Sequence, residues 1–289
     1  DTEPDPFFWE TIRDFRPATV WCAGWMFPRY VRWSRALKKS GARTICAMDT
    51  QWKGTARQRL LTAIAPFTLR TAFHYAWVPG LRQEQYALRL GFPASAILHH
   101  LYAPDTRLFG QAYMDRERPA LPGKFVYAGR LEPHKIERLL SAFTALEETQ
   151  RKGWRLQLIG SGSMEQDARF RHPAIEVQPA RSQNGLRPVL EQGGVFCLCS
   201  SDEPWGTVAQ EFAAAGFPLL LSHQCGSSGH FLQGNGLLCD GSDTESIKAA
   251  LLSFIALPSE ELQRMGKRSH ELGMRSGSDT WASVLCSTL

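Results

Sequence analysis

The sequence lacks paired cysteines, a membrane-spanning run and a secretory leader pattern. Its seven cysteines are odd in number and include no C-x-x-C pair, which argues against a disulfide framework or a zinc site of paired thiolates. The longest run without an acidic or basic residue, 212–239, is interrupted by glycines and a proline, so it cannot form one lipid-facing helix. No charged start followed by an apolar stretch is present. We therefore expect a cytoplasmic protein with reduced, mostly buried thiols.

Complete nucleotide and metal motifs are also missing. There is no P-loop, and Gly160-Ser161-Gly162 is only the opening of a glycine-rich phosphate loop. Without the full G-x-G-x-x-G fingerprint, a dinucleotide oxidoreductase is disfavoured. The histidines show no metal-ligand spacing, and no D-x-D motif follows a predicted strand. The sequence therefore predicts chemistry without a metal ion or a bound cofactor.

Charge is unevenly distributed along a chain of ordinary globular composition, 43% apolar and 21% charged. Residues 1–115 carry 15 Lys and Arg against 9 Asp and Glu, and residues 116–289 carry 18 against 19. A basic first part would attract an anionic acceptor or an acidic membrane surface, and a merely solubilising surface is the alternative. Nucleic acid is not favoured, because the basic residues are dispersed and no RNP-like or helix-turn-helix pattern occurs.

Strand and helix patterns alternate along the whole chain. Such alternation predicts parallel sheets of the doubly wound type, and 289 residues allow two such domains. We expect an N-terminal Rossmann-like domain over 1–115, a second over 116–272, and a C-terminal helix over 273–289 that crosses back to the first. The proline-bearing stretch 103–124 is the predicted connection. Pro66 is expected to kink or split a helix over 55–73, and His99 and His100 are placed on a strand over 97–102, facing opposite ways.

The loop after the predicted strand 125–128 places two cations at the start of a helix. Arg130 and Lys135 follow Gly129 in the stretch GRLEPHK. A helix dipole disfavours cations at its N-terminus, so an anion held between them and the backbone N–H groups would explain both. Two solvated surface cations are the alternative.

A second loop, EPWGTVAQE, places two carboxylates eight positions apart around a helix start. Glu211 lies one turn beyond Thr207, so Glu203 and Glu211 could both reach a ligand over the helix N-terminus. A carboxylate can accept both hydrogens of a vicinal diol, as in ribose recognition. The alternative is an N-terminal acid at Glu203 and a solvent-facing Glu211.

Taken in order, these segments resemble the retaining glycosyltransferases of family 4, which have the GT-B fold. The matching pieces are FVYAGRLEPHK, RLQLIGSGSME, VFCLCSSDEPWGTVAQEFAAAGFPLLLS and CGSSGHFLQGNGLL. Within them, EPWGTVAQE looks like the E-x7-E motif of that family. The likeness is closest over 124–240 and looser in the first part. It implies an α/β architecture of two Rossmann-type parallel-sheet domains facing a central cleft, with a first domain that is incomplete at its start.

The resemblance also implies roles for individual residues. Arg130 and Lys135 would grip the diphosphate of a nucleotide sugar, UDP- or GDP-linked, and Glu211 would hold the ribose hydroxyls. Glu203, with the backbone of residues 205–208, would hold the sugar and the phosphates, and residues after Val177 would flank the base. The implied catalytic residues are Arg130, Lys135 and Glu203. The implied donor-binding residues are Gly129, Arg130, Lys135, Gly160, Glu203, Trp205, Gly206, Thr207, Val208 and Glu211.

The resemblance points to Asp49, which follows a first-domain strand and could face the acceptor or the donor sugar. Trp25, in a loop after a strand, is the tryptophan predicted to contact the acceptor, because aromatic rings stack against sugars. The implied activity is metal-independent transfer of a sugar, with retention, to a glycan, a lipid-linked or a small-molecule acceptor. A peripheral membrane contact through the basic first part is a separate prediction, made from its charge. One departure is Ile136, where the family usually has Gly after the lysine. The incomplete start of the first domain keeps a degenerate nucleotide-sugar-binding or scaffold subunit open as the alternative. A nucleotide-sugar epimerase, with Asp49 as its acid/base group, is a further one.

Overall fold

The computed structural model describes residues 6–116 and 121–288, so Pro119 of the expected connection lies outside the described residues. The chain divides into two units. The first comprises residues 1–103 and 279–289, and the second comprises residues 104–278.

The first unit is built on a four-stranded parallel sheet in the order β1-β2-β3-β4. The strands are β1 (Thr19–Cys22), β2 (Arg43–Ala47), β3 (Tyr75–Trp77) and β4 (Ile97–Leu98). Its helices are α1 (Pro6–Phe15), α2 (Pro28–Lys39), α3 (Ala56–Ala72), α4 (Leu81–Arg89) and, from the end of the chain, α13 (Ser278–Cys286). Because sequential strands are neighbours, right-handed crossovers place α2, α3 and α4 on one face of the sheet.

Neighbouring strand residues contribute to two separate cores, as expected when successive side chains point to opposite faces. Cys46 and Ala76 belong to a cluster with residues of α3 and α4. Ile45 and Trp77 belong to a second cluster, against which Trp281 of α13 packs. The sheet is therefore covered on both faces, by α3 and α4 on one and by α13 on the other.

Two expectations for the first unit are corrected. The strand predicted over 97–102 ends at Leu98, because His100 adopts a left-handed backbone with φ of 61°. Leu101 then donates its N–H to the carbonyl of Val78, the residue that directly follows β3, at 3.2 Å. His99 and His100 therefore lie in a loop. The helix containing Pro66 is neither split nor interrupted and runs continuously as α3.

The second unit contains a six-stranded parallel sheet in the order β10-β9-β8-β5-β6-β7. Its strands are β5 (Lys124–Ala128), β6 (Arg155–Ile159), β7 (Ile175–Gln178), β8 (Val195–Leu198), β9 (Leu219–Ser222) and β10 (Gly236–Cys239). Its helices are α5 (Thr106–Met114), α6 (Pro133–Thr144), α7 (Glu148–Arg151), α8 (Arg187–Gln192), α9 (Thr207–Ala214), α10 (Ser228–Phe231), α11 (Thr244–Ala256) and α12 (Ser259–Gly273).

The strand order of this second sheet reverses between β5 and β8. Strands β6 and β7 extend from one side of β5, and β9 and β10 extend beyond β8 on the other. In doubly wound sheets, ligands bind outside the carboxyl ends of the strands at such a switch point. The loops after β5 and β8 are therefore the first place to look for a site, and they carry Arg130 and Glu203.

Two further properties concern the described part of the chain. None of its helices combines the length and the apolar character needed to cross a membrane. All seven cysteines are free thiols: six are buried, and Cys286 on α13 is exposed.

Candidate active site

The loops that follow β5 and β6 are in backbone contact. Gly129 donates its N–H to the carbonyl of Ile159 at 2.9 Å, and Leu131 donates to the carbonyl of Ser161 at 2.9 Å. A Cβ at Gly160 would overlap the carbonyl oxygen of Gly129, and one at Gly162 would lie 2.6 Å from that of Leu131. The two glycines of the G-x-G stretch are thus required by the close approach of these loops. A donor-binding role for Gly129 and Gly160 stays a prediction.

Arg130 projects from this loop as an exposed cation. Its carbonyl accepts a hydrogen bond of 2.7 Å from the hydroxyl of Tyr127, the penultimate residue of β5. Burial and the nearby carboxylate of Glu203 raise the pKa of Tyr127 well above its ordinary value. The phenol therefore stays protonated and keeps donating to the Arg130 carbonyl.

Lys135 and Glu203 form an ion pair across the switch point. Lys135 lies in the first turn of α6, and its Nζ is 2.5 Å from Oε2 of Glu203 in the loop after β8. Each side chain is only 12% exposed. The same two segments are joined a second time, because Ser201 donates its backbone N–H to the carbonyl of His134 at 2.9 Å. The helix-start lysine is therefore neutralised by a carboxylate from the loop after β8, the strand next to β5 in the sheet, and it does not point into solvent.

Backbone hydrogen bonds hold the segment that follows Glu203. The carbonyl of Glu203 accepts from Gly226 N at 3.0 Å, and the carbonyl of Trp205 accepts from Ser227 N at 3.0 Å. The Trp205 ring is buried and makes an edge contact with His230. Gly206 has φ of 85°, and a Cβ there would lie 2.7 Å from Leu198 and 3.2 Å from Cγ of Glu203. Glycine is required at this position, because a side chain would both strain the backbone and displace Glu203.

Helix α9 begins directly after Gly206. Ala209 donates its N–H to the carbonyl of Gly206 at 2.9 Å. The N–H groups of Thr207 and Val208 lie ahead of this bond, in the first turn, where a helix has no carbonyl partners to offer. Such groups, together with the helix dipole, favour an anion. This terminus belongs to the same post-β8 segment as Glu203.

Glu211 lies one turn further along α9 and is partly buried. Its carboxylate accepts a hydrogen bond of 2.9 Å from Nε2 of Gln183, in the segment after β7. Burial raises the pKa of Glu211, and the hydrogen bond from Gln183 lowers it by less. Glu211 is thus neither a solvent-facing residue nor a partner of Lys135.

The second unit therefore brings most of the predicted site residues to the carboxyl edge of one sheet. Lys135 and Glu203 meet at the switch point, Arg130 is exposed on the loop after β5, and Glu211 lies on the helix that starts after Gly206. Sequence reasoning missed Tyr127 and Gln183, which hold Arg130 and Glu211. In the sequence, Tyr127 belongs to the apolar run FVYA and is typical of a core strand residue. Gln183 lies in a segment with neither helix nor strand periodicity.

Trp25 and Asp49 share a separate cavity in the first unit. This open cavity of about 330 Å³ is lined by loops after β1, β2 and β4. The carboxylate of Asp49 accepts a hydrogen bond of 2.9 Å from the hydroxyl of Tyr102. Trp25 packs on the core and makes an edge contact with Tyr86. The two residues therefore line the same cavity. Their acceptor role stays a prediction.

The two parallel-sheet α/β units, with a polar site at the switch point of the second, define a protein of the GT-B class. Solved structures of similar fold cover nearly the whole chain. HepE from Anabaena in complex with UDP gives a TM-score of 0.77 at 12% identity, over 98% of this chain and 82% of that one. The UDP-forming α,α-trehalose-phosphate synthase from Burkholderia xenovorans, in complex with glucose-6-phosphate, gives 0.74 at 12% identity, over 98% and 75%.

The chain belongs to the glycosyl transferases group 1 family, whose model matches residues 115–272. Among curated proteins it is similar to the glycogen synthase of Mycobacterium tuberculosis, with 28% identity over 151 residues. That match covers 50% of this chain and 36% of the relative, so the chain spans about a third of the length of the curated relatives it matches.

Proposed function

We propose that this chain is a retaining glycosyltransferase of family 4 that uses a UDP- or GDP-sugar and needs no metal ion. The observation that carries the proposal is the cluster at the switch point of the second unit. There, the exposed Arg130, the Lys135–Glu203 ion pair and the start of α9 belong to the loops after two adjacent strands. Membership of the family and the UDP bound to HepE support the donor class.

The cluster fits the charge that develops in glycosyl transfer. The bond between the anomeric carbon and the β-phosphate oxygen breaks, and the acceptor oxygen bonds to the same face of that carbon. The acceptor proton passes to the departing phosphate, so no enzyme nucleophile is needed. Negative charge grows on the diphosphate as the bond breaks. Fixed cations and helix N–H groups there stabilise the transition state more than the ground state.

In this mechanism Arg130 and Lys135 take the place that a divalent metal would otherwise have. Glu203 is the partner that holds Lys135 in position, and it reaches the sugar hydroxyls through its second oxygen. Glu211 accepts hydrogen bonds from the ribose hydroxyls, with Gln183 orienting the carboxylate. In the first unit, Asp49 and Trp25 present a carboxylate and an aromatic wall to the acceptor.

Arg130→Ala provides the sharper test of the donor site. Arg130 is exposed, whereas Lys135→Ala removes the ion-pair partner of the mostly buried Glu203, at a cost of about 3–5 kcal/mol in stability. A ligand that binds only the folded state raises its melting temperature. We expect one class among UDP-, GDP-, ADP- and dTDP-sugars to stabilise the wild type and to stabilise Arg130→Ala less. Transfer by the variant should fall by about 10²-fold or more, and EDTA should leave wild-type transfer unchanged.

Arg171→Ala is the matched control, because Arg171 is an exposed arginine that precedes β7 and so lies at the opposite edge of the sheet. It should behave as the wild type. Equal donor stabilisation and transfer in Arg130→Ala and Arg171→Ala would refute the assignment of the site. Normal donor binding without transfer to any acceptor would instead favour the binding or scaffold subunit.

A further inference from the structure

Helix α3 of the first unit is apolar on the side that faces solvent. Its buried side consists of Gln58, Ala65, Leu69 and Ala72. On the opposite side Leu60, Ile64 and Phe67 are spaced i, i+4 and i+7, so they form one stripe along the helix. They are 64%, 50% and 79% exposed. A surface helix of a globular protein ordinarily presents polar residues there, so this stripe needs an explanation.

The surroundings of the stripe are strongly basic. Residues 28–72, which include α2, β2 and α3, contain ten lysines and arginines and a single acidic residue, Asp49. Arg57 and Arg59 are exposed on α3 itself, on either side of the stripe. Helix α2 packs beside α3, since Arg35 donates to the hydroxyl of Thr71 at 2.9 Å. Its Arg32 and Lys39 are also exposed.

We propose that the outward side of α3 docks on an anionic lipid surface. Leu60, Ile64 and Phe67 would enter the boundary between headgroups and acyl chains, as the apolar side of an interfacial helix does. The basic side chains of α2 and α3 would lie at the level of the lipid phosphates, where each adds attraction. The nearly complete lack of acidic residues over 28–72 favours this occupant over a second copy of the chain, because two copies would bring the same positive charge together.

The test is sedimentation of the whole chain with lipid vesicles. We expect the wild type to bind vesicles of phosphatidylcholine with about one third phosphatidylglycerol, and to bind phosphatidylcholine alone much more weakly. Addition of NaCl to about 0.5 M should release it. The double variant Ile64→Ser with Phe67→Ser should lose about tenfold or more in affinity for the anionic vesicles.

Leu238→Ser with Met114→Ser is the matched control. These two residues of the second unit are 51% and 70% exposed, much like the pair that is changed on α3. The control should bind as the wild type, and both double variants should keep the wild-type melting temperature.

Equal binding by the two double variants, or no binding by the wild type, would overturn the proposal. Self-association of the wild type that only the α3 variant abolishes would also overturn it, in favour of a second copy. Donor binding is not involved in any of these outcomes, so they are independent of the proposed transferase activity.

Discussion

Lys135 and Glu203 are 68 positions apart in the sequence, yet they form the ion pair at the centre of the candidate site. The sequence pattern places both residues beside a helix start, and the family resemblance assigns both to one donor. It could not show that they neutralise each other, because a contact between two loops depends on the order of strands in the sheet. The positions of Arg130, Lys135, Glu203 and Glu211 were thus predictable, whereas their partners Tyr127 and Gln183 were not.

Glu211 allows a prediction about pH at the level of a single residue. Burial raises the pKa of its carboxyl, so the folded state binds a proton more tightly than the unfolded state does. The stabilising effect of that proton is fully present below the ordinary pKa of glutamate and is lost as the pH rises through the raised value. At neutral pH the buried charge therefore costs stability.

Glu211→Gln should remove this cost. We expect the variant to melt above the wild type at about pH 7, and the difference to vanish at about pH 4, where the wild-type carboxyl is protonated. The same variant should bind the nucleotide donor more weakly, since an amide accepts fewer hydrogen bonds from a diol. Melting curves over this pH range test the first statement. A difference that is constant with pH would contradict it, and Glu165→Gln, at an exposed residue of the same unit, is the control.

At the scale of helices and strands, the sequence pattern predicts the alternation and boundaries such as the strand over 125–128, which the structure has as Lys124–Ala128. It failed where geometry opposes local propensity. His100 takes up a left-handed backbone that propensity disfavours, which ends β4 early. Pro66 does not split α3, although proline ordinarily breaks or kinks a helix.

Helix α13 is the element whose packing is hardest to derive from local pattern. Trp281 stacks on Trp77 with 4.8 Å between ring centroids, and its Nε1 donates to the carbonyl of Leu101 at 3.1 Å. Arg43 at the start of β2 donates to the carbonyl of Thr288 just beyond the helix. These residues are about 180 or more positions from their partners, so no window of the sequence contains both.

Trp281→Ala should therefore destabilise the first unit by about 2–4 kcal/mol, because it uncovers the Trp77 ring and removes a hydrogen bond. Trp281→Phe keeps an aromatic ring over Trp77 and should lose about 1 kcal/mol only. Urea unfolding followed by tryptophan fluorescence measures both. Equal losses for the two variants would mean that the ring stacking contributes little.

At the scale of the whole molecule, the chain contains two units that each have a sheet and a buried core. Proteins with more than one core commonly depart from two-state unfolding. The basic surface belongs to the first unit and the candidate donor site to the second. The two surfaces therefore share no residues.

We expect calorimetry to resolve two transitions. A nucleotide donor should raise the temperature of one, through the second unit, and Trp281→Ala should lower the other. The double variant Ile64→Ser with Phe67→Ser serves as a control that should move neither. A single transition that shifts as a whole with the donor and with Trp281→Ala would show that the two units unfold together.

The exposure of Cys286 has a practical consequence for spectroscopy. The other six thiols are buried, so a maleimide dye added to the folded protein under mild conditions attaches at one place. That place is the last residue of α13, the helix that carries Trp281. The natural chain thus supplies a single labelling point for fluorescence transfer or anisotropy measurements, and vesicle binding could be followed without introducing or removing any cysteine.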